Sequence, residues 1–246
     1  MTEARFVRFL ASVTSEAEAR LAAAHGADII DCKDPARGAL GALPHATVAH
    51  IRGAVPAHTP VSATIGDLPC EPAPVFEAAR AMAATGCDIV KIGLFPGGDA
   101  KATVARLGDL APSTALVAVI MADGPVDFDL IPALAEAGFA GVMLDTASKD
   151  GRTLRDHQPV TMLESFVETA HAVGLFAGLA GSLRLADISP LLGIGPDVLG
   201  FRGALCRASD RRGALDASQL AAVRHAIPYS SPRVLRADRA RLETAP

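Results

Sequence analysis

Only four of the 23 basic side chains are lysines: Lys33, Lys91, Lys101 and Lys149. Three of them stand at or just beyond the end of an apolar run, in "ADIIDCK", "CDIVKIG" and "GVMLDTASK". A primary amine does what a guanidinium cannot. When it is crowded by like charge or partly desolvated it can shed its proton, attack a carbonyl and form an imine, whereas arginine stays protonated. Asp31 and Asp145 sit in two of the same runs, and a carboxylate there both balances charge and moves protons. The combination predicts Schiff-base chemistry on a carbonyl substrate, with Lys33, Lys91, Asp31, Asp145 and Lys149 as the catalytic set. A single lysine at a strand end is often no more than a snorkelling or ion-paired residue. Three of four in one setting argue against that reading for the group.

Such chemistry needs the amines gathered in one place, and the rest of the chain is patterned to do this. Short apolar or β-branched runs recur at "FVRFLASV", "ADIIDCK", "VSATIG", "DIVKIG", "LVAVIMAD", "GVMLDTA", "FAGLAG" and "VLGFRG", and each reads as a strand. Between them lie stretches at helical spacing, among them "SEAEARLAAAHG", "PVFEAARAMAATG" and "TMLESFVETAHAVG", which end at a glycine suited to close a helix. A degenerate repeat, "AAHGADII", "AATGCDIV", "AEAGFAGVM" and "LGIGPDVLG", sets a helix end, a glycine and then a strand. Eight strands alternating with helices in 246 residues predict a single-domain α/β chain, a (β/α)8 TIM barrel over residues 1–226. Residues 227–246 lose the pattern and read as a C-terminal tail or an extra helix.

In a barrel of this kind the loops that follow the strands form the open mouth where chemistry collects. Side chains alternate along a strand, so Ile29, Asp31 and Lys33 share one face; pointed inward, the polar pair sits above an apolar plug. Lys91 follows Ile89 in the same phase. Asp28, Asp88 and Asp197 precede strands instead and read as structural turn or cap residues. The last two strands lead into "GLAGSLR" and "GFRGALC". Glycines there let backbone N–H groups approach an anion, so Gly181, Ser182, Arg202 and Gly203 are the expected phosphate-binding residues. "GLFPGG" after Lys91 matches no nucleotide loop and reads as a turn.

Composition narrows the classes further. Half the residues are hydrophobic, enough for a sizeable core, while a net charge of −4 and 4% aromatic content give no nucleic-acid surface. The opening segment mixes acids with arginines and no long apolar run follows, so neither a membrane span nor a leader is expected and a cytoplasmic protein is. Cys32, Cys70, Cys87 and Cys206 stand apart without a C-x-x-C pair, and the seven histidines show no ligand spacing. No metal and no cofactor is implied. The expected partner is a small phosphorylated carbonyl compound, and self-association into a homo-oligomer is left open.

"GADIIDCKDPARGALGA", "VSATIGDLP", "DIVKIGL", "VMLDTASKDGRTL", "LAGSL" and "GFRGALC" together resemble the (5-formylfuran-3-yl)methyl phosphate synthase family, from about Phe6 to Ala226. The resemblance implies a (β/α)8 lyase that joins two molecules of glyceraldehyde 3-phosphate, with loss of phosphate and water, to start the furan of methanofuran. It implies that Lys33 forms the Schiff base, that Lys91 is the proton acceptor, and that Asp31, Asp145 and Lys149 belong to the active site. The chain departs from the family at "VIMADGPVDFDL", which is shorter than expected and lacks an aromatic residue before "AD", and in its longer tail. Two alternatives stay open on the residues alone: another class I aldolase for a phosphorylated sugar, or a non-catalytic barrel that binds one.

Overall fold

Each of the eight runs becomes a parallel strand in the computed structural model, which describes residues 6–148 and 150–228. The strands are β1 (Arg8–Val13), β2 (Ile29–Cys32), β3 (Val61–Thr64), β4 (Ile89–Gly98), β5 (Ala115–Met121), β6 (Gly141–Asp145), β7 (Phe176–Leu179) and β8 (Val198–Phe201). Each pairs in parallel with the next, and β8 pairs back onto β1 through Arg8↔Val198 to Ala11↔Phe201, so the sheet closes into a single-domain TIM barrel. Helices α1 (Glu16–Ala24), α2 (His45–Ala54), α3 (Pro72–Ala83), α4 (Ala100–Leu107), α5 (Leu130–Glu136), the short α6 (Leu154–His157), α7 (Val160–Ala172), α8 (Leu185–Ile194) and α9 (Ala217–Ala226) surround it.

Alternation along the strands divides the apolar side chains into two cores. Leu10, Ile29, Ile89, Val117, Met143, Phe176 and Val198 face inward and plug the barrel, while Phe9, Ile30, Val61, Val90, Leu116, Val142 and Leu199 face the helices. The plug is fitted by pairing large residues with glycines. A Cβ on Gly141 would come within 2.5 Å of the Phe176 ring, and one on Gly178 within 2.5 Å of Met143 Cγ. Both glycines are therefore set by volume.

The glycine repeat turns out to be a device at the base of the barrel. Gly26 and Gly86 take positive φ, 79° and 83°, reversing the chain after α1 and α3, and an aspartate follows each two residues later. Asp28 and Asp88 do not cap helices. Each accepts the backbone N–H of the neighbouring strand at 2.8 Å, Phe9 for Asp28 and Val61 for Asp88, and also meets an arginine, Arg224 at 2.7 Å and Arg52 at 2.6 Å. Asp197 does the same with the Ala177 N–H and His171. In the third repeat the equivalent position is Ala140, which has no carboxylate to form such a staple. These aspartates are structural, as their position before the strands suggested, but they tie strand to strand.

"GLFPGG" differs from expectation. It is no turn: β4 runs on through Gly98 and pairs with a two-residue strand, Pro69–Cys70, in the loop after β3. A Cβ on Gly98 would lie 2.2 Å from the Cys70 carbonyl oxygen, so the absence of a side chain is what lets the two segments meet. The C-terminal reading of a tail or added helix falls almost wholly on residues 229–246, which lie outside the described residues.

Candidate active site

Register builds the site. Ser12 pairs laterally with Asp31, and Asp31 with Ser62, so three inward side chains from β1, β2 and β3 lie side by side. Ser12 Oγ donates to Asp31 Oδ2 at 2.9 Å and Ser62 Oγ to Oδ1 at 2.6 Å. Lys91, which pairs with Thr64 one layer higher, donates from Nζ to both Asp31 oxygens at 3.1 and 3.2 Å. Asp31 is completely buried. Burial by itself would push its carboxyl up, but the charges of Lys91 and Lys33 and the Ser62 and Ser12 hydrogen bonds outweigh it and hold Asp31 below the usual carboxylate range.

Lys33 leaves the end of β2 and reaches across the mouth to Asp145 at the end of β6, Nζ to Oδ2 at 2.9 Å. The other Asp145 oxygen accepts the Thr146 backbone N–H at 2.7 Å, which fixes the carboxylate facing the amine. Lys33 and Asp145 are 7% and 3% exposed, so the pair sits at a buried floor with one open side. Two lysine–aspartate pairs thus share the mouth. Desolvating two ion pairs is costly, and apolar residues of like volume would stabilise the fold at least as well. The cost is met at the place where chemistry would need amines and carboxylates together.

Above this floor opens a cavity of about 580 Å³, lined by Asp31, Lys33, Lys91 and Asp145 and by the loops after β7 and β8. Gly181, Ser182, Arg202 and Gly203 all line it. Gly181 (φ 113°) and Ser182 (φ 51°) occupy the left-handed region, and a Cβ on Gly181 would lie 2.9 Å from Thr146 Cγ2. This turn directs the start of α8 toward the cavity, while Gly203 begins a 3₁₀ turn on the adjoining wall. Arg202 is engaged elsewhere. Its five N–H donors go to Glu18 (Nη1 2.6 Å, Nη2 3.2 Å) and to the carbonyls of Ser12, Arg211 and Gly213. Burial alone would push Glu18 up; the Arg202 hydrogen bond and charge, with Thr14, hold it down. Arg202 therefore braces the loop after β8 against α1.

Lys149 lies outside the described residues. The chain leading to it is held by Asp123, from the loop after β5, whose carboxylate accepts the backbone N–H groups of Ala147 and Ser148. Sequence reasoning misses Asp123, Ser12 and Ser62. For the serines a signal existed, since both fall in the phase of Asp31 on adjacent strands. The four cysteines are buried, and burial pushes their thiols up, away from nucleophilic use. Among the described residues, no His, Cys, Asp and Glu cluster is placed to hold a metal ion, and no helix is long and apolar enough to cross a membrane.

Comparison with solved structures places the architecture. Phosphoribosyl anthranilate isomerase from Thermus thermophilus superposes with a TM-score of 0.64 at 16% identity, covering 89% of this chain and 98% of that one. 3-Keto-L-gulonate-6-phosphate decarboxylase from Vibrio cholerae gives 0.64 at 17% identity, covering 90% and 97%. These share the barrel. Closer likeness lies in sequence: a Methylorubrum extorquens protein is 45% identical over 214 residues, 87% of this chain and 89% of its own length. The (5-formylfuran-3-yl)methyl phosphate synthase of Methanocaldococcus jannaschii is 40% identical over 206 residues, 79% of this chain and 88% of its own length. The model of the 4-HFC-P synthase family matches residues 9–224, from β1 into α9. With nearly every strand and helix inside that match, the chain belongs to the 4-HFC-P synthase family.

Proposed function

We propose that the protein is a Schiff-base lyase that condenses two molecules of glyceraldehyde 3-phosphate into (5-formylfuran-3-yl)methyl phosphate, a step toward a methanofuran-type cofactor. The observation that carries this reading is the buried Lys33 amine, 2.9 Å from Asp145, at the floor of a cavity of triose size or larger. Lys33 attacks the carbonyl of one triose, isomerised to the ketone, and Asp145 takes the proton the amine gives up. Water leaves and the imine forms. Its positive nitrogen draws electrons from the adjacent carbon, where Lys91, made neutral by passing its own proton to Asp31, removes a proton to leave an enamine. The enamine carbon adds to the aldehyde of the second triose. Loss of one phosphate and two waters then balances the atoms and leaves the aromatic ring.

Gly181, Ser182 and Gly203 would offer backbone and hydroxyl donors to a substrate phosphate, and Arg202 would hold the loop of Gly203 in place. Lys149, which follows Asp145 closely in sequence, would join the proton transfers of dehydration. The test is direct. Purified protein given glyceraldehyde 3-phosphate should release inorganic phosphate and a product with the mass and ultraviolet absorbance of the furan aldehyde. Borohydride added during turnover should leave a mass adduct on Lys33. An adduct without phosphate release would point to an ordinary class I aldolase; neither signal would leave a non-catalytic barrel.

A further inference from the structure

The cavity's buried cations are already balanced. Lys33 faces Asp145 at 2.9 Å, Lys91 faces Asp31 at 3.1 Å and Arg202 faces Glu18 at 2.6 Å, one carboxylate for each charge. A phosphate ester brings a charge of about −1.5 to −2 at neutral pH, and the backbone of Gly181 and Gly203, which line the cavity, carries no net charge to meet it. Two further arginines line the cavity: Arg184, exposed and bonded to the Gly151 carbonyl, and Arg211, on the same wall as Arg202. Arg211 lines the cavity beyond the loop that Arg202 braces, and its carbonyl is one of the Arg202 acceptors, at 2.9 Å. Just before it, Ala208 and Ser209 take φ of 52° and 56°, a left-handed pair that turns the chain back toward the mouth.

Arg211 is half-buried, and among the described residues no carboxylate lies within ion-pair distance of it. Of the five N–H donors of its guanidinium, one is engaged among the described residues: Nη2 donates to the Gly38 carbonyl at 3.0 Å, in the loop after β2. That loop is itself fixed, because Asp67 accepts the N–H groups of Ala39 and Leu40 at 2.8 and 2.7 Å. Burial and the charges of Arg212 and Arg202 hold Arg211 below its usual value, against the pull of Asp145 and Asp67. It remains a cation, partly stripped of water, with a planar fork of donors matched to a phosphate.

We propose that Arg211 binds the phosphate of the triose that reacts at Lys33, and thereby selects phosphorylated over unphosphorylated carbonyl substrates. This rests on the reading that a triose phosphate is the substrate. Arg202, saturated by Glu18, positions the loop, while Arg211 meets the ligand. Its bond to Gly38 keeps the guanidinium over the mouth before substrate arrives, so less freedom is lost on binding.

The test uses glycerol 3-phosphate, which has no carbonyl and cannot form an imine, with glycerol as its uncharged counterpart. In calorimetric titration of the full chain, the wild type should prefer glycerol 3-phosphate. Arg211→Gln should weaken that binding by about 10- to 100-fold, with melting unchanged, and Arg211→Lys should retain part of it. Wild-type affinity in Arg211→Gln, or no preference for the phosphate in the wild type, overturns the proposal. Because no imine is involved, failure of the wild type to make a furan would strike the synthase reading and leave the Arg211 result legible. Conversely, an active synthase whose Arg211→Gln variant binds glycerol 3-phosphate normally would refute the role of Arg211 alone.

Discussion

At the base of the barrel, where strands begin, Asp28, Asp88 and Asp197 meet Arg224, Arg52 and His171; at the mouth, where strands end, Asp31 and Asp145 meet Lys91 and Lys33. The acid is the same and the cation differs. Arg52 shows what the base requires: its guanidinium donates to Asp88 and to the carbonyls of Thr59, Val55 and Pro56 at once, joining the end of α2 to two strands. A fork with several fixed donors does this well. The mouth instead uses single, rotatable amines whose partners are carboxylates able to receive a proton. A chain with 23 basic residues and four lysines places two of those four on the floor of the cavity.

Exchanging the cations at the two ends should separate the roles. Lys33→Arg keeps a positive charge beside Asp145 and should fold, yet turnover should fall to background, a loss on the order of 10⁴-fold or more; substantial furan production by this variant would erase the distinction. Next in size is Asp31→Asn, which leaves Lys91 buried without its anion and should cost about 3–5 kcal/mol at neutral pH in chemical denaturation. Its pH dependence carries a sign. Asp31 is held below the ordinary carboxylate range, so its contribution is present above the unfolded value of about 4 and is lost as pH falls through the depressed one. The gap between wild type and variant should therefore narrow on acidification, and a constant gap would show that the carboxylate charge is not what stabilises the floor. The smallest effect belongs to the base: Arg52→Lys should lower stability by about 1–2 kcal/mol, or about 2–8 °C in melting, with kcat unchanged.

The strands, their alternation and the lysine-bearing ends were legible because period and residue type act locally. Ile29, Asp31 and Lys33 had to share a face once β2 existed, and that face had to be inward once the barrel closed. Partners distant in sequence were not legible. Arg202 sits at a strand end, where a phosphate ligand is expected, but its Glu18 lies 184 residues earlier and nothing in "GFRG" announces it. Arg211 escaped notice for the opposite reason: it follows β8 by a long irregular loop, and only the left-handed turn at Ala208 and Ser209 returns it to the mouth. The extension of β4 was hidden because Pro96 and two glycines resemble a turn until the edge strand Pro69–Cys70 is seen beside them.

Arg224 has a further consequence. It belongs to α9, and it bonds the Gly26 carbonyl and Asp28, which lie just ahead of β2. With β8 hydrogen-bonded to β1, the two ends of the barrel sequence form a single seam. During synthesis the ribosome releases β1 and β2 long before that arginine exists, so the nascent protein must wait with an open edge until β8 emerges and with an unlatched aspartate until α9 does.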